Sequence, residues 1–584
     1  MVGSMIGHRH SAIAETRFRR LRPAPLVTLA AYAAVAWAYF VLPLQGRFRE
    51  ALLGFSYGLS PFPYDPVLNA GILEWGRRAL ITSSLDLFEW PAGYPLHNSL
   101  AITEHLIGWQ PGFALIRAAG GSVASAYNAV FVASFVLSAA GARLLAKEFG
   151  ADEEGAFLSG LIFGFLPFHL THAVHLQTLA IWCAPFAFLF LDRFLRRGGL
   201  FNLVGAAASC ALCLLSGMYI GLFLVIGLSL YVGAALVAGR ASLDVRRLVA
   251  LAAAGFASFA CLWPILSHYV AFSQRVGYAH PLSVLTRFSL ELTALIKVPA
   301  WQALWASTGY KGVTWHESAA FPGLVTLALV LCAFGRRARN ASGPVLRLLL
   351  LMTLIFFVLS LGPRLLVFEN TPVAYAEWLP LPGLIFARLS AIRWPMRAFL
   401  LSALFGSVVA GLGFAAATSA WPRARRVIAC ALVAGALVVE YRPKWGYAGE
   451  SLALPDPLAF SGAYPFLASE QDRGAVVELP AADPNGYRTP MLVRSVYGSA
   501  GHLRRVIAIH GSVVPPLTSE LLHEADRLPD ESAVDHLRRY GCTRVVVHRF
   551  WQPGTHMDDQ IARMRAAGLP VLWESDEAVT FALR

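Results

Sequence analysis

The chain has 584 residues, 57% of them hydrophobic and only 14% charged, with a net charge of +13. The positive excess does not suit a nucleic-acid binder. From Arg442 onward 15 Lys/Arg face 17 Asp/Glu, so the excess lies in the apolar part, as short arginine clusters between apolar runs.

Runs long enough to cross about 30 Å of hydrocarbon recur along the chain. In order they fall near 25–44, 124–146, 156–172, 176–194, 201–217, 219–239, 247–266, 319–335, 345–362, 397–417 and 426–441, about eleven in all. The first follows the basic run Arg17–Phe18–Arg19–Arg20 and lacks a small-residue cleavage site. It reads as an uncleaved span after a basic cytoplasmic tail, 1–24. The short run 106–119 is open to a juxtamembrane helix or a further crossing. Eleven spans place RFLRRGG, GRASLDVRR, GRRARN and WPRARR on one side of the membrane. Arginine-rich loops stay in the cytoplasm, so the first large loop (about 45–123) and everything after residue 441 are expected outside.

Residues 442–584 change character. Charged residues rise to 32 of 143, and β-branched patches such as TRVVVHRF alternate with helix-like SAVDHLRRYG. Gly541 and Gly568 sit where a helix would end before a strand. The expectation is an extracytoplasmic α/β domain. No glycine-rich phosphate loop precedes its helices. The seven cysteines lie almost all in apolar runs, and the Cys210/Cys213 pair reads as small packing residues of a helix.

The first loop carries SPFPYDPVLNAGILEW and FEWPAGYPLHNSLAITEHLIGWQP, with Asp65, Glu74, Asp86, Glu89 and Glu104 among Trp75, Trp90, Trp109 and Tyr94. Carboxylates among aromatic rings at a membrane face suit chemistry on a lipid-linked sugar. Asp65, before Pro66, is open to two roles: a helix cap and a proton acceptor. Glu104, followed by His105, is a second candidate acid. In PFHLTHAVHLQTLAIW, His169, His172 and His175 recur every three residues at the outer end of the third span. Their imidazoles would meet a lipid phosphate, with metal binding as the alternative. Arg388, Arg393 and Arg397, in LIFARLSAIRWPMRAF, fall on the outer side, where the charge rule expects no arginine. They are a candidate phosphate clamp. Tyr219, Lys311 and Glu317 are further polar candidates at outer turns.

This layout resembles the GT-C superfamily of integral membrane glycosyltransferases. GFLPFHLTHAVHLQTLAIWCAP, LSGMYIGLF, HESAAFPGLVTLAL and IRWPMRAFLLSALFGSVVAGLG resemble stretches of bacterial membrane proteins treated as glycosyltransferases. The resemblance implies a GT-C-like helical domain over 25–441 in a bacterial inner membrane. It further implies inverting transfer of a sugar from a polyprenyl-phosphate-linked donor to an extracytoplasmic glycan, lipid or protein acceptor. Asp65 would be the general base and Glu104 the second acid of some branches. Arg393, Arg397, His172, His175 and Lys311 would meet the donor phosphate. Trp75, Tyr94, His105, Tyr219 and Glu317 would meet substrate. No adjacent DD, DE or DxD occurs in the first loop, which leaves a divalent cation, Mg²⁺ or Mn²⁺, open. The rival readings are a polyprenyl-lipid flippase and a noncatalytic assembly protein.

Overall fold

The computed structural model describes residues 24–54, 64–82, 85–277, 280–309, 319–368, 371–372, 381–388, 392–444, 453–481, 489–511, 514–549 and 557–583. Lys311 and Glu317 lie outside the described residues, as does the side chain of Arg388.

The chain is a multi-pass membrane protein. Among the described residues eight helical segments are long and apolar enough to cross a bilayer: Leu26–Leu44, Val123–Glu148, Glu153–Val174, Thr178–Arg197, Met218–Val237, Val245–Val276, Gly343–Ser360 and Pro395–Thr418. The three other expected spans are also helical but shorter or more charged. Leu200–Ser216 has 17 residues. Leu324–Cys332 has only 9, about 14 Å of helix. Arg423–Tyr441 has 19 but carries Arg423, Arg425, Arg426 and Glu440.

Six helices position the site: α1 (Tyr64–Ile81), α2 (Val123–Glu148), α3 (Glu153–Phe165), α4 (Met218–Val237), α5 (Phe399–Thr418) and α6 (Thr489–His502). Helix α3 starts at Asp152, whose carboxylate accepts the Gly155 amide at 2.8 Å, a side-chain cap reinforced by Glu153 and Glu154 at the positive helix end. It packs on α5 through Gly155 and Gly411. A Cβ on Gly155 would stand 2.3 Å from the Gly411 carbonyl oxygen, so only glycine lets the two backbones approach this closely. The helix stops at Leu166 because Pro167 follows it; Leu166 is extended, as a residue before proline prefers. The chain then makes the short turns Pro167–Thr171 and His172–Val174.

One end of the bundle is ionic. Glu148 takes Arg193 and Arg197, both at 2.7 Å, and also Arg196. Asp192 takes Arg240 at 2.7 Å and Arg196 at 2.9 Å. Arg143 pairs with Glu153 at 2.7 Å and Arg426 with Asp152 at 3.0 Å. Several of the arginines that the charge rule assigns to the cytoplasm, Arg193, Arg196, Arg197, Arg240 and Arg426, are therefore paired with carboxylates of the same bundle.

At the other end sits the C-terminal part. Its sheet has the order β1 (Ala475–Leu479), β2 (Cys542–His548), β4 (Ala578–Ala582), β3 (Val571–Glu574). Strands β1 and β2 are parallel, and β4 is antiparallel to both its neighbours. The sheet does not stop at β1. Val506 bridges Val476 on one side and Ala92 of the first loop on the other. The bond from the Val506 amide to the Pro91 carbonyl (2.8 Å) and those from the Tyr94 and Gly93 amides to the Val506 and Ala508 carbonyls (3.0 and 2.9 Å) hold the seam. Helix α6 lies on α1, with Tyr497 against Gly71, and Arg78 donates to the Gly501 carbonyl at 3.0 Å. The first loop and the C-terminal part thus share one sheet edge and one helix contact.

Candidate functional site

Asp65 lies in the first turn of α1, where the helix N-terminus favours negative charge. Its carboxylate stands 3.1 Å from Nε2 of His175. One turn along α1, Asn69 donates to the Gln177 side chain at 2.9 Å, so two contacts fasten α1 to the turn after α3. Gly54 closes the same corner: with φ +86° it accepts a left-handed conformation, and a Cβ there would meet the Ala173 carbonyl at 2.6 Å. Burial would raise the Asp65 pKa, but His175, together with His510 and Arg397, outweighs it and brings the carboxyl down to about 2. Asp65 is therefore ionised at neutral pH, and its side chain is still one-third exposed, at 33%.

Glu104 receives the Met218 and Tyr219 amides at 2.7 and 3.2 Å. It caps α4 from a distant part of the chain, meeting amides that the helix itself leaves unpaired. Burial pushes its pKa up against the pull of those two amides and of Arg397. The cap fixes Tyr219, whose hydroxyl accepts the Trp394 amide. Arg397 lies over the rings of Trp394 (4.8 Å) and Tyr219 (5.7 Å). Arg393 lies over Trp394 (5.4 Å) and Phe288 (5.8 Å), which stack on each other at 3.7 Å. Each guanidinium-over-ring contact contributes about 0.5–2 kcal/mol. The two arginines are thus seated on a rigid aromatic platform. His172 is buried beside His175, ring centres 6.1 Å apart, and within electrostatic reach of Arg397.

The structure therefore brings together Asp65, Glu104, His172, His175, Tyr219, Arg393 and Arg397. It places the other described candidates elsewhere. Trp75 is ten residues beyond Asp65 on α1, about 15 Å along the axis; it is buried and donates to the Leu87 carbonyl at 2.8 Å. Tyr94 packs under Arg505, 5.5 Å away. His105 is enclosed by Phe88 and Tyr269; burial lowers its pKa to about 3. His169 turns into the core, stacked on Phe135 and bonded to the Phe163 carbonyl at 3.0 Å. The threefold spacing fails to gather three imidazoles because the helical turn ends after Thr171 and His175 leaves helical geometry. Among the described residues no group of three His, Cys, Asp or Glu side chains is arranged to hold a metal ion.

His510 is the member that sequence reasoning missed. It comes from the C-terminal part and lies within electrostatic reach of Asp65 and Arg393. Nothing local in RVIAIHG marks it; the β-branched alternation that ends on it is the only hint that the segment is a strand-like edge.

The fold is similar to that of the mycobacterial arabinofuranosyltransferase AftD, with a TM-score of 0.59 and 14% identity over 96% of this chain and 40% of that one. The R1389S mutant of the same protein gives 0.57 and 15%, over 96% and 42%. The chain thus spans about two-fifths of that protein's length, and it has the polytopic helical GT-C-like fold expected from its sequence. The oligosaccharyltransferase AglB of Archaeoglobus fulgidus, solved with an inhibitory peptide and a dolichol-phosphate, gives 0.46 and 13% over 90% and 69%, too low to carry an argument. No family model and no curated protein matches the sequence.

Proposed function

We propose that the chain is a membrane glycosyltransferase that moves a sugar from a polyprenyl-phosphate-linked donor to an acceptor hydroxyl on the outer side of a bacterial inner membrane, with inversion. The observation that carries this reading is Asp65, 3.1 Å from His175 and within electrostatic reach of Arg397, with Arg393 and Arg397 seated on Trp394, Tyr219 and Phe288. The fold shared with an arabinofuranosyltransferase supports it.

In the step, the acceptor oxygen forms a bond to the anomeric carbon as the bond from that carbon to the phosphate oxygen breaks. The electron pair leaves with the polyprenyl phosphate, and the acceptor proton goes to Asp65. Arg393 and Arg397 meet the charge that develops on the leaving phosphate, where preorganised donors lower the barrier most. His175 keeps Asp65 ionised and aimed before substrate arrives. Glu104 serves by positioning: it holds α4, hence Tyr219, hence the Trp394–Arg397 turn. Divalent-cation dependence stays open, to be read from turnover with and without chelator.

The test is reconstitution of the purified chain with radiolabelled decaprenyl-phosphate pentoses and undecaprenyl-phosphate hexoses, wild type beside Asp65→Asn. Donor turnover or hydrolysis that disappears in the variant, with folding intact, is the expected result. Binding without turnover in both proteins would favour lipid flipping or scaffolding.

A further inference from the structure

A polar side chain inside a span is expensive and usually marks a function. Asn128 is one, in the second turn of α2 and 0% exposed. Its amide is spent on one short segment of the first loop. Oδ1 accepts the Leu53 amide at 2.8 Å, and Nδ2 donates to the Phe48 and Ala51 carbonyls at 2.9 and 2.7 Å. The C-terminal part holds the same segment: the Leu454 amide donates to the Glu50 carbonyl at 2.6 Å, and Ala51 bridges Ala453. The segment ends on Gly54, which touches two neighbours at once. A Cβ there would stand 2.6 Å from the Ala173 carbonyl oxygen and 3.4 Å from Cγ of Pro66. Pro66 follows Asp65, and Ala173 precedes His175 by two residues. The 48–54 segment thus meets both halves of the Asp65–His175 pair, whose side chains stand 3.1 Å apart.

We propose that Asn128 is a positioning residue for the Asp65–His175 pair: its three bonds to the 48–54 segment set how closely the two side chains approach. The inference rests on the transferase reading and adds to it a residue that touches no substrate. Backbone held by one side chain at three points keeps its place, and a displacement of about 1 Å near a reacting group costs about 10²-fold in rate. Gly54 serves the same end, since only a residue without a Cβ lets Ala173 and Pro66 close on the segment at φ +86°. The acidity of Asp65 reports on the approach. Burial is the largest influence on it and raises its pKa, and His175 is the first of the groups that overcome burial. His510, Arg397 and Tyr127, also in electrostatic reach of Asp65, are not carried by the segment. A looser contact with His175 therefore lets burial win, and the acid limb of turnover moves up.

The test uses reconstituted full-length protein and the radiolabelled polyprenyl-phosphate sugar that the wild type turns over. Turnover per folded molecule is followed from about pH 4 to about pH 8 for wild type, Asn128→Ala and Gly54→Ala. The folded fraction is read at each pH by intrinsic fluorescence, so a variant that is only less stable shows no change per folded molecule. Gly54→Ala leaves the Asn128 bonds in place and keeps the test open should Asn128→Ala fail to fold. In both variants kcat at neutral pH should fall about 10- to 10²-fold. Donor KM should stay within about twofold, because Arg393 and Arg397 are held elsewhere. The acid limb of kcat/KM should lie about one pH unit above that of wild type. A limb at the wild-type position in both variants, or unchanged turnover per folded molecule, would overturn the proposal and leave the transferase reading in place. Absence of any donor turnover by the wild type would remove that reading, and this proposal with it.

Discussion

Asp65 with His175 and Glu478 with His548 are the same chemical pair in two settings. The second is sealed inside the C-terminal part, with side chains 2% and 0% exposed. Its carboxylate takes His548 at 2.7 Å, Tyr464 at 2.9 Å and Ser495 at 2.6 Å. Burial would raise Glu478, but the bonds from His548 and Ser495 and the charge of His548 and His502 bring it down to about 2. The first pair reaches the same value with fewer fixed bonds and keeps a third of the Asp65 side chain exposed. Equal acidity therefore says little about role. Saturation does: Glu478 has its acceptor positions filled by its own fold, whereas Asp65 pairs with His175 and keeps a third of its side chain exposed.

That contrast predicts opposite phenotypes. Asp65→Asn should lower transfer about 10²–10⁴-fold, the range for loss of a general base, with little change in thermal midpoint. A variant that unfolds in step with its loss of activity would erase the distinction. Glu478→Ala should do the reverse. It leaves three buried donors without their acceptor and should cost the C-terminal part about 3 kcal/mol, read by limited proteolysis or thermal melting, while activity follows the folded fraction. The pH dependence has a defined sign. Glu478 has a folded pKa below its ordinary 4.5, so its stabilisation is complete above about 4.5 and is lost as pH falls toward about 2. Burial also lowers His548, which adds a loss of stability as pH falls below its ordinary 6.5. Glu478→Ala should therefore melt with a shallower acid slope than wild type.

Much of the membrane part is legible in the sequence because a helix in hydrocarbon must satisfy its own backbone, and long apolar runs have few other solutions. Asp65, the histidines after Pro167 and the arginines before α5 are legible for a related reason: polar groups beside a span, on the side with few arginines, have to be accounted for. The rest needs the third dimension. Trp75 and His105 are the right residue types in the right loop, yet helix rotation and burial direct them into packing. The apolar run 319–335 does not reveal that its helix is confined to Leu324–Cys332. His510 is separated from Asp65 by some 445 positions, and single-residue bridges such as Ala92 to Val506 have no period that a pattern could reveal.

Glu104 lies between the two extremes. Its carboxylate is filled by the Met218 and Tyr219 amides, as Glu478 is filled, but what it holds is the arginine platform of the site. Glu104→Gln keeps the shape but replaces one of the two oxygens that accept the Met218 and Tyr219 amides with an NH2 and removes the charge at the helix N-terminus, a loss of about 1–3 kcal/mol. The expected outcome is a rise in donor KM of about fivefold with a smaller change in kcat. A fall in kcat as deep as that of Asp65→Asn would make Glu104 a participant in proton transfer and not a positioning residue.

The smallest effect belongs to the ionic end. Arg426 pairs with Asp152 at 3.0 Å, with each side chain one-quarter exposed at 25%. Asp152 is held independently, since it caps α3 through the Gly155 amide. Arg426→Gln therefore removes a partly solvated pair without unmaking the cap, and should cost less than about 1 kcal/mol. Salt supplies the control: screening weakens exposed pairs, so the gap between wild type and variant should narrow as ionic strength rises. Turnover should not move, because this end holds carboxylates against arginines of the same bundle, while the site draws its groups from five separate parts of the chain. A large loss of turnover in Arg426→Gln would show that the two ends are coupled through α3 and α5, whose glycine contact would then transmit the change.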